Sequence, residues 1–507
     1  MASLEQNEDI SHFFFVNSLV GPTCVLFMCI VIMIVFTTTE PLAIPRPVVW
    51  GTEAIITLLS VIVTFVIWFL VKRNTRKYLI EKQQQDVTLN IKLVFLWTFG
   101  FASIFHFAIN MSANIDCLLK DGRQPYSIAY DLSIVTNLID ICFCIGQLGF
   151  LSLYGQFCFR PSSLINYGIS LMIITHLLHW FKMIFDSVIY ARNWMPSNLT
   201  RLDDCFRSSN ITNISHDLIL YINPLITEYS LLSVTIAVGM FVNIFRNNSV
   251  QASLPIDPPE ISTETEDQTT TNDESNSSEH LTRRVSTIIA ISSGIVLSLP
   301  YLMTLTFVFF KTANLSKVFR ILSTIFEIEF LALLFFGKRQ FQVQFNDVLV
   351  KRENPSPSSG YQMTLIVITS VAVGYETFGA IAGLMKAGNL FCFLLFFNKC
   401  LKIAVIMIQT GFILQMKNIS YKPRQVRVHY FKVSRIFLCI FVMNISRWLY
   451  DSFIIGQTFG ILPIQLEFYG KIYWRTISSA LFPVNVFYRL LTAIEMYELY
   501  RHTNTDP

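Results

Sequence analysis

The sequence predicts an all-α polytopic membrane protein, with twelve transmembrane helices in two similar six-helix halves. Three observations predict it. Of the 507 residues, 53% are hydrophobic and 14% charged, against about a quarter charged in soluble domains, and the mean hydropathy is +0.51. Apolar runs of about 20 residues, long enough to cross a bilayer, recur along nearly the whole chain. Polar motifs of the fourth to sixth runs then return, in the same order, in the tenth to twelfth.

Six runs precede the middle of the chain, near 15–37, 48–71, 91–112, 127–155, 163–190 and 217–244. Six follow it, near 285–310, 317–337, 361–384, 390–416, 433–456 and 472–497. An even number puts both termini on one side. The first residues, MASLEQNEDIS, are acidic and offer no basic stretch before the first run, which argues against a cleaved signal peptide. Basic loops set the orientation. KRNTRKYLIEKQQQ follows the second run, GKRQ and VKREN follow the eighth, and KNISYKPRQVRVHYFK follows the tenth. Lys and Arg accumulate on the cytosolic face, so all three loops are expected there. The net charge of +4 carries less information than this distribution.

Residues 250–282 break the pattern. They are acidic and rich in Ser, Thr and Pro, too polar to bury a core. The expected organisation is a cytosolic N-terminus (1–14), a six-helix half (15–249), a disordered acidic cytosolic linker (250–282), a second half (283–498) and a cytosolic C-terminus (499–507). Glycosylation sequons at Asn198, Asn210, Asn213 and Asn314 fall in loops expected outside. Most of the ten cysteines lie inside runs, but Cys117 and Cys205 fall in two of the outer loops. Those two are candidates for a disulfide in that oxidising setting.

The repeat is carried by three pairs of motifs. Gln147 in IGQLGF answers Gln409 in IQTGF, and His176 four residues before Trp180 answers Asn444 four before Trp448. PLITEYSLL, with Pro224 and Tyr229, answers PVNVFYRLL, with Pro483 and Tyr488. Both copies begin on the cytosolic side, so the repeat is parallel, about an axis along the membrane normal.

Ionisable groups within these runs need partners or water, since an isolated charge at mid-bilayer costs several kcal/mol. In the fifth run, MIITHLLHWFKMIFD, the residues His176, His179 and Asp186 fall within about 80° of one another and span about 15 Å of helix. Such a stripe faces a bundle interior or a wet cavity. Lys182 with Asp186, and Arg447 with Asp451, read as structural pairs at helical spacing. Lys399 and Lys402 read as snorkelling side chains, and His106 as a packed core histidine. Glu228, Asp140, Glu327, Glu329 and Glu376 add carboxylates inside the runs. His and carboxylates exchange protons at physiological or mildly acid pH. Gln, Asn and Tyr extend hydrogen-bonded chains without titrating. The mixture suits proton movement better than passage of a bulky solute.

No phosphate-binding loop, metalloprotease-type pair, Arg-repeat voltage sensor or potassium-filter motif occurs in the sequence. The chain therefore reads as no enzyme, with no cofactor, no metal site and no nucleic-acid partner.

In PLITEYSLL, LFPVNVFYRLLTAIEMYELY, IQTGFILQMK and NISRWLYDSF the chain resembles the otopetrin family of proton-selective channels. The resemblance runs through all twelve runs in order, is strongest in runs six and ten to twelve, and is looser between them. It implies twelve helices, cytosolic termini, a homodimer in the plasma membrane, and protons entering down their gradient on extracellular acidification. Membrane lipids, sterol among them, and protons are the implied partners. The family's polar triads would fall on Gln147, His176 and Tyr229, and on Gln409, Asn444 and Tyr488, with Glu228 as the acidic residue of the sixth run. Glu228, Asp186, Glu376, Glu327 and Glu329 complete the candidate pathway or gating set. Two departures stand out. His176 replaces the usual Asn or Asp, and Asp186 is displaced by one residue. A proton-coupled secondary transporter of two six-helix halves, and a non-conducting structural member, are the alternative readings.

Overall fold

The computed structural model describes residues 45–81, 88–121, 127–160, 162–192, 210–240, 273–301, 303, 315–345, 360–386, 390–417, 430–455 and 463–504. Helices dominate them. The first block holds α1 (Pro45–Arg73), α2 (Leu89–Asp121), α3 (Ser127–Tyr154), α4 (Ser163–Arg192) and α5 (Asn210–Val238). The second holds α6 (Asp273–Leu297), α7 (Leu315–Phe345), α8 (Gly360–Met385), α9 (Leu390–Lys417), α10 (Tyr430–Tyr450), the short α11 (Pro463–Tyr469) and α12 (Lys471–Asn504). Pro45 stands first in α1, where its missing N–H is no loss, and Lys72 and Arg73 close that helix against its dipole.

Eight helices are long and apolar enough to cross a membrane, and α5 and α6 contribute shorter apolar stretches, Ile222–Val238 and Arg284–Leu297. The chain is an all-α polytopic membrane protein. The expected count of twelve is not reproduced. The run at 15–37 lies outside the described residues. Helix α7 coincides with the eighth run but is too charged to count by composition, carrying Glu327 and Glu329 in its middle and Lys338 and Arg339 beyond. Helix α6 also begins earlier than the sequence reading allows, at Asp273, so ten residues assigned to the linker are helical.

Each helix of the first block packs as its counterpart does in the second. In the first, α1 meets α3 and α4, α2 meets α3 and α5, and α4 meets α5. In the second, α7 meets α9 and α10, α8 meets α9 and α12, and α10 meets α12. Burial repeats at residue level too: residues 61–70 of α1 and 331–340 of α7 show the same order of buried and exposed positions. That register aligns Thr57 with Glu327, Ser60 with Phe330, and Thr64 with Leu334. The corresponding register of the other helices aligns Gln147 with Gln409, His179 with Arg447, and Tyr229 with Tyr488. Between the blocks, α12 packs on α4 and α5, and α5 packs on α8 and on the segment following α10.

Prolines fall inside both closing helices, Pro224 in α5 and Pro483 in α12. A helix inside a membrane tolerates this when neighbouring groups take up the freed carbonyls. In α5, Thr227 Oγ1 adds side-chain bonds to the turn that holds the proline, donating to the carbonyls of Pro224 at 2.8 Å and Asn223 at 3.1 Å.

Two features lie outside the sequence reading. Strands β1 (Leu79–Glu81) and β2 (Phe157–Phe159) pair antiparallel, with Leu79 opposite Phe159. The Phe159 N–H donates to the Met240 carbonyl at 3.0 Å, so the ends of α1, α3 and α5 are tied together. Three-residue strands leave no period to detect. After α10 the chain continues as one π-helical turn, Asp451–Ile455, a form that often marks functional sites.

Helices α8 and α9 cross closely. A Cβ on Gly383 would lie 2.8 Å from the Phe396 backbone nitrogen and 3.0 Å from the Cys392 carbonyl oxygen. Backbone cannot yield as a side chain can, so Gly383→Val is expected to cost about 1–3 kcal/mol of overpacking. The check is a lowered melting temperature of the detergent-solubilised protein.

Candidate functional site

The first block encloses a column of buried polar side chains. Helix α1 supplies Glu53, Thr57, Ser60 and Thr64, all buried. Their spacing of four, three and four residues keeps them on one face over about 16 Å. The Lys182 ammonium of α4 donates to Glu53 Oε1 at 2.8 Å and lies 2.7 Å from Oε2 as an ion pair. His179 Nε2, one turn along α4, lies 3.3 Å from Thr57 Oγ1 and 3.3 Å from Asp140 Oδ1 of α3. It is 3.8 Å from Glu53 Oε1. Ligand atoms of Glu53, Asp140 and His179 lie within 4.8 Å of one another, a donor set able to hold a metal ion. Lys182 already supplies the counter-charge to Glu53 in this arrangement.

Further along the column, Gln147 Nε2 donates to Thr64 Oγ1 at 2.8 Å, and the Tyr229 hydroxyl donates to the Cys144 carbonyl at 3.4 Å. His176 packs edge-on to Tyr229, with ring centroids 5.5 Å apart, and against Phe143 at 4.9 Å. Among the described residues, neither nitrogen of His176 has a hydrogen-bond partner. The same holds for both Asp140 carboxylate oxygens, Gln147 Oε1, Ser60 Oγ and Ser233 Oγ. Buried groups seldom leave so much capacity unused. A chain of water molecules running past these atoms would use it.

The second block pairs several of its buried charges, while both amide atoms of Gln409 and three guanidinium nitrogens of Arg489 have no hydrogen-bond partner among the described residues. Arg447 NH1 donates to Glu327 Oε2 at 2.9 Å, and Arg447 Nε lies 3.8 Å from Asp451 Oδ2. The Tyr301 hydroxyl donates to Glu327 Oε1 at 3.3 Å. Lys399 Nζ donates to Glu376 Oε2 at 2.6 Å, and Asn485 Nδ2 to Glu376 Oε1 at 3.2 Å. The Tyr488 hydroxyl bonds to the Ile406 carbonyl and to Thr410 Oγ1, both at 3.0 Å. Tyr229 and Tyr488 thus occupy matching places, each on the carbonyl three residues before the glutamine of its block.

A third arrangement joins the blocks. Glu228 of α5 accepts from Trp448 Nε1 at 2.6 Å and from Ser452 Oγ, in the π-helical turn, at 3.2 Å. No mirror contact forms. The position matching Glu228 is Phe487, and the Nε1 of Trp180, which matches Trp448, has no hydrogen-bond partner among the described residues.

The structure redistributes the residues singled out in the sequence. Gln147, His176, Tyr229, Gln409, Asn444, Tyr488, Glu228, Glu327 and Glu376 are all buried. His176 and Tyr229 meet, and Tyr229 reaches the helical turn of Gln147. Asn444 Nδ2 donates to the Ile440 carbonyl of its own helix at 3.1 Å, whereas neither amide atom of Gln409 has a partner among the described residues. Glu329 is only half-buried, since two residues past Glu327 a helix has turned about 200°. Asp186 lies on α4, but its side chain is outside the described ones. Lys182 bonds to Glu53 across helices; its expected pairing with Asp186 lies outside the described side chains. Arg447 has Asp451 within reach but places Glu327 nearer. Lys399 and Lys402 are buried rather than snorkelling. His106 meets the expectation of a core histidine, with Asn110 Nδ2 2.9 Å from its Nε2. Asn210 and Asn213 fall in α5; Asn198 and Asn314 lie outside the described residues. Cys117 is disulfide-bonded, and Cys205, its expected partner, is also outside them.

Glu53, Ser60 and Thr64 escaped sequence reasoning. Glu53 stands near the edge of its apolar run, where an acid draws no notice, and hydroxyls barely lower hydropathy. The signal was present as a one-face spacing, Glu53, Thr57, Ser60 and Thr64.

In comparisons with known proteins, a family model described as Otopetrin matches residues 187–490. No curated protein matches the chain.

Proposed function

Because the chain belongs to the otopetrin family, we propose that it is a proton-selective channel that carries protons into the cell when the outside is acidified. The observation that supports this reading best is the buried polar column of the first block. His179 lies 3.3 Å from Thr57 and from Asp140, Gln147 bonds Thr64 at 2.8 Å, and several buried groups of the column have no hydrogen-bond partner among the described residues. Protons move by exchange along a chain of such groups and water. His179 Nε2 and Asp140 Oδ1 face each other at 3.3 Å. Thr57 orients the imidazole, and Lys182 balances Glu53, which keeps the charge in the column small.

The same reading has twelve transmembrane helices in two halves, which the recurring helix pairings and burial register support. It has a homodimer in the plasma membrane with both termini cytosolic, glycans on the outer sequons, and a Cys117–Cys205 disulfide joining two outer loops. Lipid, sterol included, would cover the exposed apolar side chains.

Whole-cell recording during an extracellular acid step tests the proposal. An inward current is expected, with a reversal potential that follows the proton gradient. A reversal potential that ignores pH and follows Na⁺ or Cl⁻ would overturn it, as would no current despite protein at the surface.

A further inference from the structure

We propose that the proton route lies in the first block alone, with Ser60 and Thr64 of α1 as pathway residues and the matching stretch of the second block as a dry plug. This rests on the channel reading above and narrows it to one route.

Matched positions of the two blocks carry different chemistry. Where α1 has Thr57, Ser60 and Thr64, α7 has Glu327, Phe330 and Leu334. Exposure is 0%, 0% and 1% for the first three and 0% for each of the second three, so all face an interior. Phe330 and Leu334 belong to the continuous hydrophobic core. A hydroxyl donates one hydrogen bond and accepts others, so it passes a proton chain onward. Leucine and phenylalanine interrupt it.

Above these residues stands the base of each block. In the first it is His179, beside Thr57 and Asp140. In the second it is Arg447, clamped to Glu327. Arginine in a protein keeps its proton and here donates to Glu327 at 2.9 Å. Asp140 itself is matched by Lys402, also buried. A cation there repels an incoming proton, where Asp140 attracts one.

Thr64 is the point to test, since its hydroxyl bonds both Gln147 and the Ser60 carbonyl, at 2.8 and 2.7 Å. Thr64→Leu installs the residue that the second block has. Thr64→Val removes the hydroxyl at nearly constant volume, and Thr64→Ser restores it with less bulk. Acid-evoked current, normalised to surface-biotinylated protein, is expected to fall at least about tenfold in the Leu and Val variants. Thr64→Ser is expected to conduct, and Leu334→Val in the second block to match the wild type. Wild-type current in Thr64→Val, or its loss in Leu334→Val at normal surface level, overturns the single-route inference while leaving the channel reading intact. An absence of acid-evoked current in the wild type overturns both.

Discussion

Arg447→Met is expected to lose most of the folded protein. Arg447 and Glu327 are fully buried and bonded at 2.9 Å. Removing one partner leaves an uncompensated charge inside the bundle, at a cost of about 3–5 kcal/mol. That is a large share of the 5–15 kcal/mol by which folded proteins are usually stable. The measurement is monodisperse yield after solubilisation, set beside surface biotinylation in cells. The double variant Glu327→Gln with Arg447→Met is expected to recover part of the loss, because it removes the orphaned charge as well. A single variant with wild-type yield would show that the pair is not a closed structural clamp. It would also weaken the case for a dry second block.

Glu228 carries the second large effect. Its Oε1 holds two donors from the other block, while its Oε2 has no partner among the described residues. Glu228→Gln keeps an acceptor for Trp448 but cannot titrate. Its surface level is expected to stay normal while the midpoint of the acid response moves by about one pH unit, the usual spread of environmental effects on a carboxyl. Glu228→Ala removes both bonds and strands the Trp448 N–H, a loss of about 2–3 kcal/mol between blocks, visible as a lower melting temperature. A response of Glu228→Gln that overlays the wild type would make Glu228 a structural tie between the blocks and no part of gating.

Much of the site was legible one helix at a time. His176, Gln147 and Tyr229 were found because each breaks an apolar run with a group that hydrogen-bonds, and because each has a counterpart 259 to 268 residues later. What could not be read was which groups meet. Spacing offered Asp451 to Arg447, since residues four apart share a helix face, and gave no sign that Lys182 would also meet Glu53. The fold offered Glu53 and Glu327 on neighbouring helices, fully buried, where a charge gains more from its partner than it does near water. Glu376 likewise drew Lys399 inward, although a lysine near a run's end reads as one that reaches for the interface. Ser60 and Thr64 stayed unnoticed because a hydroxyl on a hydrophobic helix changes composition very little, and only its neighbours reveal that it lines a column.

The order of polar and apolar residues along the chain determined by itself that this protein is helical, lies in a membrane and is internally repeated. Each of those follows from local hydropathy and from motif order, which need no partner to be read. Which buried charges meet, Lys182 with Glu53 and Arg447 with Glu327, was decided by tertiary packing. Charge and hydrogen-bond satisfaction in a low-dielectric interior depend on atoms brought together from different helices, and linear spacing does not encode those distances.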